Sequence, residues 1–300
     1  TGFFGNRFTI MSQIHRAQTD VIKYEPGRCV DAKDLEEKLS SNNYKAVFMT
    51  HVETSTGVEN DIPKLVAVAK KHGVYTVVDS VAGLGGCSFD FDGCGADIAF
   101  TGSQKALAAP PGVGLLCASK RVLEAFENRK TPIQSYYLNL LIWKQVMEDT
   151  SIYVATQATQ VMLALREALL MIKEEGLENR WRRHQHVADG IRAAVEAMGL
   201  PVVADKECRS NTVTAFYVPE GKAGEIQSSL RWGYRVHAAR TFPPLSKKAL
   251  RFGHFGNITP RDAAGVLTAL ELVLRGIGMK IRPGTAAEAA APHLGSTYRE

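Results

Sequence analysis

Three polar segments fall where chemistry could be done, each directly after an apolar run. Glu53-Thr54-Ser55-Thr56-Gly57 follows residues 45–50, Asp79 closes residues 74–79, and Ser103-Gln104-Lys105 follows residues 97–101. An acid and a lysine at neighbouring strand ends form either a structural ion pair or a reactive couple, and the pair alone does not choose. The surroundings do more. Asp79 precedes Ser80-Val81-Ala82-Gly83-Leu84-Gly85-Gly86, small residues that let something approach the backbone closely. Lys105 leads into Ala106-Leu107-Ala108-Ala109-Pro110-Pro111-Gly112, an uncharged, rigid surround. A desolvated lysine gives up its proton more readily, as a nucleophilic amine must. Further on, Arg251 sits between Leu250 and Phe252. Its guanidinium is a planar two-pronged donor that matches a carboxylate. His254, three residues later, reads as structural.

The elements that must position these groups alternate. Short apolar runs at 45–50, 74–79, 97–101 and 113–118 read as buried strands, and 62–72 reads as a helix ended by Gly73. That alternation predicts an α/β fold: a three-layer, mostly parallel sheet with helices on both faces and ligands at the carboxyl ends of its strands. Beyond Pro132 the pattern changes. A helix is expected over 161–175 with Leu163, Leu165, Leu169 and Ile172 on one face, and Thr156 is a possible N-cap before it. Further helices are expected over 181–198 and 259–277, with strands at 212–218 and 251–255. The division drawn from this is a large domain over 1–175 and a smaller α+β domain over 176–300. The Ala-rich tail after Pro283 has little pattern and is expected to wrap loosely.

Bulk composition narrows the class. The 300 residues are 45% hydrophobic and 22% charged, with a net charge of +5, ordinary values for a globular chain. The densest basic group, Arg180, Arg182 and Arg183, reads as a solvated helix face. It lacks the breadth and interleaved aromatics of a nucleic-acid footprint. No apolar run reaches the roughly 18 residues that crossing a bilayer takes. Five cysteines without a C-x-x-C pair read as reduced packing thiols, which implies a cytoplasmic setting.

Taken together, the motifs resemble the class V aminotransferases of the fold-type I pyridoxal phosphate enzymes, and within them the alanine–glyoxylate and serine–glyoxylate group. The resemblance spans essentially the whole chain. It rests on Glu53-Thr54-Ser55-Thr56-Gly57-Val58, Val78-Asp79-Ser80-Val81, Leu84-Gly85-Gly86, Thr101-Gly102-Ser103-Gln104-Lys105, Ala109-Pro110-Pro111-Gly112 and Arg251-Phe252-Gly253-His254, in that order. It implies that Lys105 forms the Schiff base with pyridoxal phosphate and moves the proton at the substrate carbon. Asp79 would pair with the pyridine nitrogen, making the ring a stronger electron sink. Val81 and Phe4 would pack on the two faces of the ring, and Arg251 would bind the substrate carboxylate. Gln104 and Thr54 would lie near the phosphate. Tyr153 and Thr156 would reach the phosphate of a neighbouring subunit, which implies a homodimer with shared active sites.

The implied reaction is transamination from a small amino acid, alanine or serine, to glyoxylate or another 2-oxo acid, with serine or aspartate plus glyoxylate as the second choice of substrates. Two alternatives stand beside it: desulfurase or lyase chemistry on the same fold, and an inactive truncated homologue. Gln104 stands where the desulfurases carry a histidine. The chain departs from the family at its beginning, where relatives have a further segment with a phosphate-binding loop and helix N-terminus. A fragment with weakened cofactor affinity is the expectation from that departure.

Overall fold

The computed structural model describes residues 1–295. Helix α1 (Phe3–Ile14) is followed, after an extended stretch, by α2 (Ala32–Ser41). Strand β1 (Ala46–Thr50) leads into a short antiparallel pair, β2 (Val52–Glu53) and β3 (Val58–Glu59), and then α3 (Ile62–Lys71). Next come β4 (Tyr75–Asp79), the one-turn α4 (Phe91–Cys94), β5 (Ile98–Gly102) and β6 (Gly114–Ala118). Four helices follow: α5 (Lys120–Glu127), α6 (Leu140–Glu148), α7 (Thr159–Glu175) and α8 (Leu177–Ala197). The remaining elements are β7 (Val213–Tyr217), α9 (Ala223–Tyr234), β8 (Ala239–Arg240), β9 (Ala249–Gly253), α10 (Pro260–Gly276) and α11 (Thr285–Leu294).

One sheet has the order β1-β4-β5-β6, with β1, β4 and β5 parallel and β6 antiparallel to β5. The register pairs Thr50 with Asp79, and Asp79 with Phe100. The carboxyl ends of the three parallel strands are therefore level, and whatever follows each strand lies on one edge. Helix α3 covers a face of this sheet. The Asp61 side chain caps it at Lys64 N–H, and Ile62, Leu65, Val66 and Ala69 pack with Met49, Val78 and Ala99. A second, antiparallel sheet has the order β7-β9-β8. Its core joins Phe216 and Leu250 to Ile191 and Val195 of α8 and to Leu267, Leu270 and Leu274 of α10.

The structure corrects several expectations. The tail after Pro283 does not wrap loosely over its described part: α11 packs along α8. A Cβ at Gly190 would come within 2.9 Å of Leu294, so the two helices touch through small residues, which leave little amphipathic signature. The cap of α11 is also remote in sequence, because the Glu271 carboxylate accepts from Gly284 N–H and Ala286 N–H, both at 2.8 Å. Thr156 does not cap α7. That helix starts at Thr159 without a side-chain cap, and Thr156 instead bonds Tyr153. On α7 the buried residues are Leu165, Ala168 and Ile172, while Leu163 and Leu169 are exposed.

Two further corrections concern charge and redox state. Cys29 and Cys208 are joined as a disulfide, leaving Cys87, Cys94 and Cys117 as thiols. The cysteine argument for a cytoplasmic setting falls with it. The arginines of α8 are not one solvated face: Arg182 is exposed, but Arg180 is buried and Arg183 is half-buried. Among the described residues no helix is long and apolar enough to cross a membrane.

Candidate active site

The level strand ends deliver Glu53 just beyond β1, Asp79 at the end of β4 and Lys105 just beyond β5. Asp79 is half-buried. Its Oδ1 accepts the Val81 N–H at 3.0 Å, which turns the chain sharply and leaves Oδ2 as the other acceptor. Burial raises the Asp79 pKa, with the charge of Glu53 adding to the rise and His51 and Lys105 opposing it. Lys105 responds in the opposite sense: burial lowers its pKa, Arg251 lowers it further, and Asp79 holds it up. The Lys105 amine thus feels both the Arg251 guanidinium and the Asp79 carboxylate in a partly desolvated space.

The lysine loop is rigid. Ala108 N–H donates to Lys105 O at 2.9 Å, Ser103 Oγ donates to Pro110 O at 2.6 Å, and Ala108 takes a left-handed φ of 61°. Phe255 lies beneath the amine, with Nζ 5.4 Å from its ring centre. Arg180 braces the loop from below. Its Nη2 donates to Ala106 O at 2.7 Å and its Nε to Gly85 O at 3.1 Å, while Nη1 pairs with Glu175 at 2.8 Å. One buried guanidinium therefore ties together the loops that follow Asp79 and Lys105.

The small-residue stretch after Asp79 does admit a close approach, and what approaches is protein. A Cβ at Gly83 would meet His51 Nδ1 at 2.3 Å, and one at Gly86 would meet Thr212 Cγ2 at 2.4 Å. His51 is buried beside Asp79. Its Nδ1 lies 2.9 Å from Ser80 Oγ, its Nε2 3.6 Å from Glu59 Oε1, and its backbone N–H donates to Asp79 O.

Arg251 reaches this site from β9. Its Nη1 donates to Thr54 O at 2.7 Å, its Nε to Arg240 O at 3.2 Å, and the guanidinium lies 4.9 Å from the Phe242 ring centre. Thr54 is buried. Phe4, in the first turn of α1, meets Phe242 edge-on at 5.5 Å, and Phe3 stacks on the same ring at 4.0 Å. Val81 is half-buried beside Asp79, and Gln104 is exposed next to the lysine. Tyr153 and Thr156 stand apart on the exposed entry to α7, their hydroxyls 3.1 Å from each other.

Sequence reasoning gave no role to Glu53, His51, Arg180 or Phe242. Glu53 opens the motif Glu53-Thr54-Ser55-Thr56-Gly57-Val58, so its position is visible in the sequence although its partners are not. Arg180 sits among other arginines at helical spacing, and no local pattern separates a buried one from a solvated one.

Comparison with known proteins shows the family. The family model described as aminotransferase class-V matches residues 8–237. The serine–glyoxylate aminotransferase of Arabidopsis thaliana is 34% identical over 282 residues, covering 92% of this chain and 70% of the relative. The 42 kDa subunit of the soluble hydrogenase of Anabaena cylindrica is 34% identical over 298 residues, covering 98% and 77%. Among solved structures, the ureidoglycine–glyoxylate aminotransferase of Bacillus subtilis superposes with a TM-score of 0.93 at 30% identity, covering 97% of this chain and 76% of that one.

Proposed function

This chain belongs to the class V aminotransferase family, and we propose that it uses pyridoxal phosphate to move an amino group from a small amino acid, alanine or serine, to glyoxylate. The observation that carries the reading is the placement of Asp79 and Lys105 at the level ends of adjacent strands, with the Arg251 guanidinium anchored on Thr54 O in the loop beyond the third. These residue types suit the cofactor's parts. A lysine with a lowered pKa meets the aldehyde, an acid with a spare carboxylate oxygen meets a protonated pyridine nitrogen, and a guanidinium meets the substrate's α-carboxylate. When bound, pyridoxal phosphate supplies the carbonyl that takes up the amine and the ring that draws charge from the substrate carbon.

Each protein group then has a defined task. Lys105 Nζ, on its braced loop, accepts and returns the proton at the substrate carbon; its lowered pKa keeps more of it in the neutral, accepting form. Asp79 holds a proton at the ring nitrogen. Arg251, already oriented by Thr54 O and Arg240 O, would hold the substrate's carboxylate end. Val81 and Phe4 supply apolar surface for the ring, and Gln104 and Thr54 donors for the phosphate. Glyoxylate as acceptor is favoured because the serine- and ureidoglycine-dependent relatives both use it.

The division into a cofactor-binding domain over 1–175 and a smaller domain over 176–300 is part of the same reading, with Arg251 as the smaller domain's contribution. A homodimer completes it. Tyr153 and Thr156 are exposed, and so are Tyr136, Leu138, Met147 and Leu163 nearby in sequence, apolar surface suited to a second copy. The desulfurase alternative gains nothing from Cys87, because burial and the charge of Glu59 push its thiol well above the usual pKa.

The test is direct. The chain is mixed with pyridoxal phosphate, reduced with borohydride, digested and mapped by mass spectrometry. The label is expected on Lys105, and alanine or serine added before reduction should bleach the bound cofactor's absorption. No label on Lys105 overturns the reading.

A further inference from the structure

Glu53 is a fully buried carboxylate that the chemistry above does not use. Its Oε2 accepts the Phe4 N–H at 2.9 Å and the Gly5 N–H at 3.0 Å, both in the first turn of α1. Its Oε1 accepts the Ser55 N–H at 3.0 Å and the Ser55 Oγ–H at 2.7 Å. Ser55 Oγ in turn accepts the Phe3 N–H at 3.1 Å. Gly2, the residue before α1, offers no side-chain cap. The orphan N–H groups of the helix are therefore satisfied from 48 or more residues away in sequence. The fit is tight, since a Cβ at Gly2 would lie 2.4 Å from Ser55 Oγ and 2.5 Å from Glu53 Cγ.

The loop that Glu53 anchors is the one Arg251 grips through Thr54 O. One end of this loop thus fixes the turn that carries Phe4, and its middle fixes the guanidinium. We infer that Glu53 is a positioning residue: it clamps the first turn of α1 to the loop at residues 53–55 so that Phe4 and Arg251 are set in place together for the cofactor and the substrate. Two charge couplings agree with that placement: burial lowers the Arg251 pKa and the charge of Glu53 opposes the drop, while burial raises the Asp79 pKa and the charge of Glu53 adds to the rise. A carboxylate kept only for stability could have sat at any helix end. This one touches the turn that bears the ring-packing aromatic and the loop that orients the carboxylate clamp.

The inference rests on the reading that Phe4 packs against pyridoxal phosphate, and a double-mutant cycle separates the two. Wild type, Glu53→Gln, Phe4→Ala and the double variant are titrated with pyridoxal phosphate. The dissociation constant is read by quenching of intrinsic fluorescence and the cofactor's setting by its induced circular dichroism, with far-ultraviolet dichroism reporting the fold. Glu53→Gln is expected to weaken binding roughly 10-fold, the scale of a lost charge-assisted hydrogen bond, and to change the induced signal. In the double variant the losses should fall well short of the product of the single effects, because Glu53 acts through Phe4. If Glu53→Gln does not fold, Gly2→Ala disturbs the same clamp from the helix side and should weaken binding in the same way. Binding and induced dichroism in the folded variant that match wild type overturn the inference alone, as do fully multiplicative losses. A wild-type chain that takes up no pyridoxal phosphate overturns the functional reading and this inference with it.

Discussion

Arg251 Nη1 donates to the backbone carbonyl of Thr54 at 2.7 Å, joining residues 197 positions apart. The bond fixes the guanidinium before any substrate arrives, so little side-chain freedom is lost when a carboxylate binds. Arg251→Lys keeps a positive charge but cannot hold Thr54 O and a carboxylate in one planar fork. We expect kcat/KM for the amino acid to fall roughly 10- to 100-fold, mostly through KM. Steady-state kinetics over a series of donor concentrations check this, and an unchanged KM would remove Arg251 from substrate binding.

Asp79 is predicted to show opposed effects on stability and function. Burial, its largest perturbation, disfavours its charge, so its pKa lies above the ordinary carboxylate value. At neutral pH the ionised group is therefore a cost to the fold, one that a neutral isostere lacks. Asp79→Asn should melt at the same temperature as wild type or higher in the absence of cofactor, while holding pyridoxal phosphate about 10- to 100-fold more weakly. Calorimetry with and without cofactor reads both halves. A lower melting temperature without cofactor would contradict the first.

His184 is predicted to give the fold an acid limit. Its Nδ1–H donates to Arg180 O at 2.8 Å, and its Nε2 accepts the Gly256 N–H at 3.0 Å. That pattern needs the neutral ring, and burial brings its pKa down to about 4. The unfolded chain protonates near pH 6.5 and the folded chain only near 4. Stability is therefore full above pH 6.5 and lost as pH falls toward 4, by on the order of 3 kcal/mol from this residue. His254, lowered to about 3 by burial, works in the same direction. Melting temperatures between pH 7.5 and pH 4.5 should fall steeply. His184→Gln should start lower and fall less.

The Cys29–Cys208 disulfide closes a loop across a sequence separation of 179 residues. Under denaturing, non-reducing conditions a thiol reagent should count three thiols, those of Cys87, Cys94 and Cys117, and five only after reduction. Cys29→Ser should cost about 2–4 kcal/mol of stability. Five reactive thiols without reductant would show that the pair is not bonded.

How much of this was legible depends on how far each cause reaches along the chain. The strands and helices that set the strand ends were visible because burial imposes its period locally: residues 62–72 match α3 and 97–101 match β5 to within a residue. Lys105, Asp79 and Arg251 were visible because chemistry restricts residue type, and an amine, an acid and a guanidinium after short apolar runs are hard to disguise. The failures share the opposite property. Helix α11 is stapled by Glu271 and fitted to Gly190, and Arg180 is buried by the loops of Gly85 and Ala106. Cys29 was read as a lone thiol because its partner lies in another part of the fold. In each case the deciding neighbour is remote in sequence and leaves no periodic trace.

The sequence by itself therefore determined the fold class, the strands of the parallel sheet and the residue types at their ends, because these follow from local burial patterns and from the chemistry of single residues. Only the tertiary structure decided which groups share one electrostatic environment and which are merely bystanders. It brought Arg251 to Thr54, set Glu53 under the first turn of α1, and braced Lys105 with Arg180. Hydrogen bonds and desolvation act over a few ångströms of space, and no spacing along the chain records them.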